Sequence, residues 1–459
     1  MNPVRNSILM DRTRISNGVN PFVIKPITTL KGEVFLLGDK SIAHRSLIIS
    51  SLAKGKTKIK NFPRNKDCLR TIKALRKLGV RITQKADTIT VFGRGIGGLK
   101  KPKGPILAGE SGTTFRLMLG VLAGQDFQAR LLASTALSLR PMLRVTRPLR
   151  LMGAKIKARR EKRKGSLEEF PPITIRGGGL RGMVYKLPVA SAQVKSAILL
   201  AGLYAAGNTV VIEPIATRDH TERMLKQFGV SLRVNNKKIF LKNNKLLVSP
   251  KSMNIPGDIS SAAFFIVLAS ILANSKIVIK NVSLNPSRLG LVRVLKRMGA
   301  DIRLTLNKNK TSQFEPCGSI KVKSSLLKGI SVKKKEMPSL IDELPILMVA
   351  ACYADGVTVL EGVGELRLKE TDRIRSMYLN LRKMGAEVNV ARVKGEESIL
   401  IQGKTRLRGV KVRSYQDHRT AMSMVVAGLT ASGVSSLDGI SCINKSFPEF
   451  LQVLDSLKA

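Results

Sequence analysis

Six short stretches put groups that grip anions or move protons where an extended segment hands over to a helix. They are Lys40, Ser41 and Arg45 in GDKSIAHR; Gly112, Thr113 and Arg116 in ESGTTFR; Ser191, Gln193 and Lys195 in SAQVK; Asp258 and Ser260 in GDISS; Asp342 and Glu343 in LIDELP; and Asp417, His418 and Arg419 in QDHRT. A helix N-terminus presents unpaired N–H groups and roughly half a positive charge, so it attracts an anion before any side chain is added. Cations at several such termini describe a place for phosphate and carboxylate groups, and carboxylates among them can give and take protons. Singly, each residue has a plainer reading, because Ser and Asp are ordinary N-caps and a lone Lys or Arg is usually solvated. Recurrence at matching junctions favours a shared site.

The elements that must carry these junctions repeat along the chain. SLAKGKTKIKN, VLAGQDFQARL, LYAAGNTVVIE, ILANSKIVIKN, CYADGVTVLEG and LTASGVSSLDG each read as a helix end followed by a β-rich run. Gly55, Gly124, Gly207, Asn274, Gly356 and Gly433 stand at the turn, where a left-handed residue is expected. A second pattern, RKLGVRI, RLMGAKI, KQFGVSL, KRMGADI and RKMGAEV, closes a basic amphipathic helix on Gly. Alternating runs such as TITVFG, PITIRG and SILIQG follow and read as half-buried strands. The unit is βαβαββ, repeated six times, with the sixth copy running out at FLQVLDSLKA. If equivalent junctions face one way, their side chains converge.

A chain of 459 residues exceeds what one core usually organises. Its apolar runs, such as AAFFIVLASILA, stop short of a membrane span and read as buried helices. Eighty Lys and Arg against 31 Asp and Glu give a net charge of +49, a field that concentrates any anion, whether nucleic acid, lipid headgroup or phosphorylated metabolite. Aromatics make up only 4% and Trp is absent, so stacking platforms for single strands are thinly supplied. Cys68, Cys317, Cys352 and Cys442 form no CxxC pair, which argues against a zinc site or a disulfide framework and fits a reducing compartment. Residues 1–20 lack a sustained apolar core and read as a tail rather than a secretory signal.

With the junctions in view, the chain resembles the 5-enolpyruvylshikimate-3-phosphate synthase family of enolpyruvyl transferases from about residue 22 to its end. The carriers, in the family's order, are GDKSIAHR, ESGTTFR, LRPM, SAQVKSA, TRDHTE, GDISSA, LIDELPI, LKETDRIR, QDHRTAM and NKSFPEF. The resemblance implies a two-domain inside-out α/β barrel of six βαβαββ repeats, three per domain. Domain one would span 39–256, domain two 1–38 with 257–459, and the active site would lie in a cleft between them. The implied reaction transfers the enolpyruvyl group of phosphoenolpyruvate to the 5-hydroxyl of shikimate 3-phosphate, releasing phosphate, on the route to chorismate. No metal or organic cofactor is implied, nor a membrane or a specific nucleic acid partner, and the expected form is a cytoplasmic monomer.

Carried over residue by residue, the resemblance has Lys40 touch both substrates. Ser41, Arg45, Ser191, Ala192, Gln193, Asp342 and Lys369 would hold shikimate 3-phosphate. Gly112, Arg140, Gln193, Arg373, Arg419 and Lys445 would hold phosphoenolpyruvate, for which the planar fork of arginine is suited. Asp342 would accept the proton of the 5-hydroxyl, and Glu370 would donate and accept a proton in the addition and elimination. In the sequence itself, Asp342 reads as opening the helix LIDELPILMVAA, and Glu370 sits between Lys369 and Arg373, so both acids are expected among cations.

Three positions depart from the family pattern. Glu110 replaces the usual Asn before the Gly-Thr segment, Ser134-Thr135 replaces a Gly-acidic pair before LRPM, and Thr217 stands where Ser is common. Two other readings compete. A sister enzyme that moves enolpyruvyl onto a UDP-N-acetylhexosamine has Asn after its site lysine and a loop cysteine; here Ser41 follows Lys40, and Cys68 falls in the predicted helix KDCLRTIKALRK. A nucleic-acid-binding protein would gather basic residues and aromatics in one stripe, whereas basic residues here run through helices, hairpins and loops such as KARREKRKG.

Overall fold

The structure is a computed structural model, and it describes residues 21–163, 165–243, 246–307, 314–393 and 395–457. The N-terminal segment 1–20 lies outside the described residues. The fold is mixed α/β and divides into two units. A central unit comprises Leu37–Pro256 together with a short segment ending at Glu315, and a terminal unit comprises the rest.

In the central unit three first helices, Lys40–Leu52, Gly112–Ala123 and Ala192–Gly202, are buried along almost their whole length. Their sequences, such as SIAHRSLIISSL and FRLMLGVLA, are rich in apolar and small residues all round, which suits helices enclosed on every side. The second helices are amphipathic instead. Lys66–Lys77 buries Cys68, Thr71, Ile72, Ala74 and Leu75 at helical spacing and leaves its lysines and arginines outward.

Three four-stranded sheets cover this helical core. All three share one pattern of strand directions, a parallel pair completed by two antiparallel strands, and in two of them the parallel pair is the strand leading into a first helix and the strand after that helix. Thus Val184–Lys186 pairs parallel with Thr209–Ile212, which pairs antiparallel with Lys238–Leu241, which pairs with Leu232–Asn235. The sheet of Lys54–Lys60, Thr88–Arg94 and Arg81–Lys85 takes its parallel strand from Ser252–Asn254, far along the chain.

The terminal unit repeats the scheme with first helices Ile259–Ile271, Leu344–Tyr353 and His418–Leu429. Two of its sheets have four strands. The third joins Lys411–Val412 and Ser435–Leu437 to Phe22–Ile24, so the last sheet is finished by the start of the chain rather than by FLQVLDSLKA, which forms a short helix at Phe450–Asp455. Phe264, Phe265, Phe447 and Phe450 meet mostly edge to face and fasten that helix to the core.

Two local expectations are corrected. Gly124 is right-handed, at φ −85°, not left-handed like Gly207 at φ +80°. Its smallness serves packing, because a Cβ there would lie 2.1 Å from the Tyr204 ring. KARREKRKG is no loop: up to Arg163 it belongs to the long strand Lys155–Arg163, paired with Ser166–Arg176. The four cysteines are buried free thiols. Among the described residues no helix is long and apolar enough to cross a membrane.

Candidate functional site

Within the central unit, the helices Gly112–Ala123 and Ala192–Gly202 run side by side. Gly120 permits this, since a Cβ there would lie 2.3 Å from the Ala197 carbonyl oxygen. The close approach sets their N-termini together. Arg116 donates through Nη1 to Gln193 Oε1 at 2.7 Å, and Gln193 Nε2 donates to Thr113 Oγ1 at 2.9 Å, which fixes the orientation of the amide. Gly112 starts the first of these helices, and its missing side chain leaves space for two guanidinium groups. A Cβ would stand 3.0 Å from Arg116 Nη1 and 3.2 Å from Arg140 Nη1.

The helix Lys40–Leu52 is capped by Asp39, whose carboxylate accepts from the Ile42 N–H at 2.9 Å. Lys40 is partly buried and pairs with Asp67 at 3.1 Å. Arg45 is 4% exposed and held by three bonds: Nε to Thr221 Oγ1 at 2.7 Å, Nη1 to the Ser41 carbonyl at 2.9 Å and Nη2 to Ser196 Oγ at 2.8 Å. Ser191 caps the Ala192–Gly202 helix by accepting from the Val194 N–H, and Ala192 is its first residue. Lys40, Ser41, Arg45, Gly112, Arg140, Ser191, Ala192 and Gln193 thus occupy the starts of first helices of this unit or the loop beside them.

Lys195 does not belong with them. Its ammonium is 1% exposed and pairs with Glu222 at 2.6 Å and Glu213 at 3.0 Å. Burial works against its charge, but Glu222 and Glu213 raise its pKa above the ordinary lysine value. Lys195 is a core ion triad one helical turn beneath Ser191. Thr217 is likewise occupied, bonding through its hydroxyl to Glu213. Glu110 is exposed, and Ser134 precedes the short helix Thr135–Ser138, tied by its N–H to the Gly109 carbonyl at 2.9 Å.

The terminal unit gathers the carboxylates. The helix expected to open at Asp342 begins at Leu344, with Pro345 in its first turn, so Asp342 lies in the preceding turn and Glu343 is the capping residue. Arg373 is buried and ringed by acids: Nη2 to Glu370 Oε2 at 2.6 Å, Nε to Asp417 Oδ2 at 2.9 Å and Nη1 to Asp342 Oδ1 at 3.6 Å. Nη1 makes no hydrogen bond among the described residues, leaving a buried donor suited to an anion. Burial raises the Asp417 carboxyl, and the Arg373 charge outweighs it, so its pKa falls below the ordinary aspartate value. Lys369 reaches Asp342 at 3.4 Å, and Arg419 Nη1 donates to the Asp342 carbonyl at 2.8 Å.

Tyr415 and Gln416, both non-glycine residues with positive φ of 50° and 56°, bend the chain just before the Asp417 cap. The bend offers the Gln416 carbonyl to Lys445 Nζ at 2.9 Å. Lys369, Glu370, Arg373, Arg419 and Lys445 are therefore held around Asp342 and Asp417 within one unit. Asp258 is a cap, accepting from the Ser260 N–H at 2.8 Å. Ser260 instead binds Glu343 and accepts from Arg288 Nη2 at 2.5 Å.

The sequence points to no role for Arg288 or Asp67, and it places Arg116 among the junction cations without assigning it a substrate. Arg116 carried a signal, a basic side chain one turn into a helix that starts at Gly. Arg288 carried none, because only the fold brings it to Ser260.

Chemically, the central unit supplies cations and helix N-termini, and the terminal unit supplies carboxylates poised against cations. The first can bind anions, and the second can bind anions and exchange protons.

A family model described as EPSP synthase (3-phosphoshikimate 1-carboxyvinyltransferase) matches residues 24–454. The chain is 43% identical over 428 residues to the 3-phosphoshikimate 1-carboxyvinyltransferase of Bacillus cytotoxicus, covering 93% of this chain and 98% of the relative. It is 46% identical over 439 residues to the enzyme of the same name from Thermodesulfovibrio yellowstonii, covering 95% and 99%. The solved EPSP synthase from Acinetobacter baumannii superposes with a TM-score of 0.81 at 40% identity, covering 95% of this chain and 98% of that one. The enolpyruvyl transferase NikO from Streptomyces tendae shares the fold, with a TM-score of 0.73 at 15% identity over 95% of this chain and 96% of that one.

Proposed function

Because the chain belongs to the EPSP synthase family, we propose that its two clusters of junction residues, one in each unit, act on the same pair of anionic substrates. The protein is a 3-phosphoshikimate 1-carboxyvinyltransferase: it transfers the enolpyruvyl group of phosphoenolpyruvate to the 5-hydroxyl of shikimate 3-phosphate and releases phosphate. Lys40 contacts both substrates. Ser41, Arg45, Ser191, Ala192, Gln193, Asp342 and Lys369 hold shikimate 3-phosphate, and Gly112, Arg140, Gln193, Arg373, Arg419 and Lys445 hold phosphoenolpyruvate.

Asp342 takes the proton of the attacking 5-hydroxyl, and Glu370 delivers a proton to the methylene carbon of the enol phosphate and recovers one on elimination. The observation that carries this reading is the guanidinium of Arg373, which contacts both acids, with Glu370 at 2.6 Å and Asp342 at 3.6 Å. In this reading the proton donor and the proton acceptor both stand against a buried cation whose Nη1 makes no hydrogen bond among the described residues.

In the same reading the six sheets are six βαβαββ repeats of an inside-out α/β barrel, three to a domain, with domains 39–256 and 1–38 with 257–459. The enzyme works as a cytoplasmic monomer without metal or organic cofactor. Phosphate release from phosphoenolpyruvate, with shikimate 3-phosphate and UDP-N-acetylglucosamine compared as acceptors, tests the assignment. Turnover with shikimate 3-phosphate alone supports it, and turnover with the sugar nucleotide alone refutes it.

A further inference from the structure

One outer sheet face of the central unit gathers basic residues that lie apart along the chain. Its strands, Ser252–Asn254, Lys54–Lys60, Thr88–Arg94 and Arg81–Lys85, contain no Asp or Glu. They carry Lys54, Lys56, Lys58, Lys60, Arg81, Lys85 and Arg94, all exposed. Thr57 and Ile59 point inward, so the four lysines of KGKTKIK stand on one side of one strand at intervals of about 6.7 Å.

Between these cations sits an aromatic ring. Phe92 lies opposite Lys56 on one side and Arg81 on the other. The Arg81 guanidinium is 4.6 Å from the ring centroid and the Lys56 ammonium 5.7 Å. Thr83 and Thr90 form the next pair on this face and add hydroxyls. Along the strand edge, a depression of about 630 Å3 is lined by Lys54, Lys56, Lys58, Lys251, Ser249 and Ser252. Lys54, Lys58, Lys60, Lys85 and Lys251 make no ion pair among the described residues, and Asp87, in the turn joining two of the strands, is engaged by the Thr88 hydroxyl.

We propose that this sheet face docks single-stranded RNA without sequence preference, with phosphates following the Lys54–Lys60 row and a base stacking on the Phe92–Arg81 pair. Charge complementarity selects a polyanion. A row of lysines one side chain per extended nucleotide matches a single strand, and an aromatic with a stacked guanidinium is a platform for an unpaired base. A broad sheet cannot enter a duplex groove as a helix or ribbon does. The face also offers too little protruding apolar surface to enter a lipid headgroup layer.

Fluorescence anisotropy of the full chain with a labelled 12-nucleotide RNA tests this. We expect binding whose log K falls with log salt at a slope of about −3, as for four or five phosphates of a single strand. Lys54→Glu/Lys56→Glu/Lys58→Glu should weaken RNA binding at least ~10-fold, and the glutamine triple variant should weaken it in the same direction without adding charge. The control Lys186→Glu/Arg233→Glu/Lys238→Glu, on another sheet of the same unit, should change it by less than about threefold. Phe92→Leu should weaken RNA several-fold while leaving inorganic polyphosphate binding unchanged. Equal losses in the two glutamate variants would reduce the effect to diffuse charge and overturn the proposal. So would a Phe92→Leu protein with undiminished RNA affinity, or binding of phosphatidylglycerol vesicles without binding of RNA.

Discussion

Arg373 donates to Glu370 at 2.6 Å and to Asp417 at 2.9 Å, and both bonds come from a guanidinium that is almost wholly buried. A cation so placed holds the carboxylate of Glu370 in one orientation and cannot be traded for a lysine, whose single ammonium lacks the fork. Arg373→Lys should therefore cut kcat/KM for phosphoenolpyruvate about 100-fold or more, from lost donors and from acids left poorly paired. Steady-state phosphate release measures this, and a loss below about threefold would remove Arg373 from binding.

Asp342→Ala and Glu370→Ala should each lower kcat by about 10²–10⁴, the range for a positioned acid or base. Circular dichroism and thermal midpoints should stay near wild type, because both side chains are partly exposed, at 18% and 26%. Near-normal turnover in either variant would strike that residue from the mechanism.

Gly112→Ala places a Cβ against the Arg116 and Arg140 guanidinium groups at 3.0 and 3.2 Å. These are ends of flexible side chains, so the protein should fold normally while the two cations shift. The expected result is a KM for phosphoenolpyruvate raised ~10-fold or more with little change in unfolding midpoint, since small displacements in a binding constellation are costly. An unchanged KM would show that the guanidinium positions are not set by this space.

Lys195→Met tests the other side of the same helix. Removing the ammonium leaves Glu213 and Glu222 buried without their cation, and loss of one partner of a buried pair costs about 3–5 kcal/mol. Chemical denaturation should show that loss. A stable variant with lost substrate binding would instead return Lys195 to the site.

His44 gives a pH dependence. Burial, and then Lys40 and Arg45, hold its pKa well below 6.5, with Asp39 opposing weakly. The folded protein keeps it neutral while the unfolded chain takes up a proton as pH falls below about 6.5, so stability is present above that pH and declines beneath it, by up to ~1.4 kcal/mol per unit. Denaturation midpoints of wild type should fall more steeply between pH 6.5 and 5 than those of His44→Gln. Parallel slopes would contradict this.

Much of this architecture can be read directly from the chain. The turn residues announce helix ends, and the junction segments announce caps, because both signals are local and chemical. What escapes is set by distant partners. Arg45 is anchored by Ser196 and Thr221, more than 150 residues away, and the first sheet is completed by Ser252–Asn254. Lys195 reads like its neighbours at the junction, yet the helix turns it inward to acids contributed by later segments. The basic row of Lys54–Lys60 is visible in KGKTKIK, but Arg81 reaches Phe92 only through strand pairing. Asp342 reads as the first residue of a helix that in fact starts two positions later, at Leu344, with Pro345 in its first turn.

The central claim is that cations of one unit and carboxylates of the other serve a single turnover. Phosphate release from phosphoenolpyruvate with shikimate 3-phosphate, measured for Lys40→Met and Asp342→Asn beside the wild type, tests it most directly. Each substitution alone should depress turnover at least ~100-fold in a protein that remains folded. Either variant retaining more than about half of the wild-type rate would contradict the account.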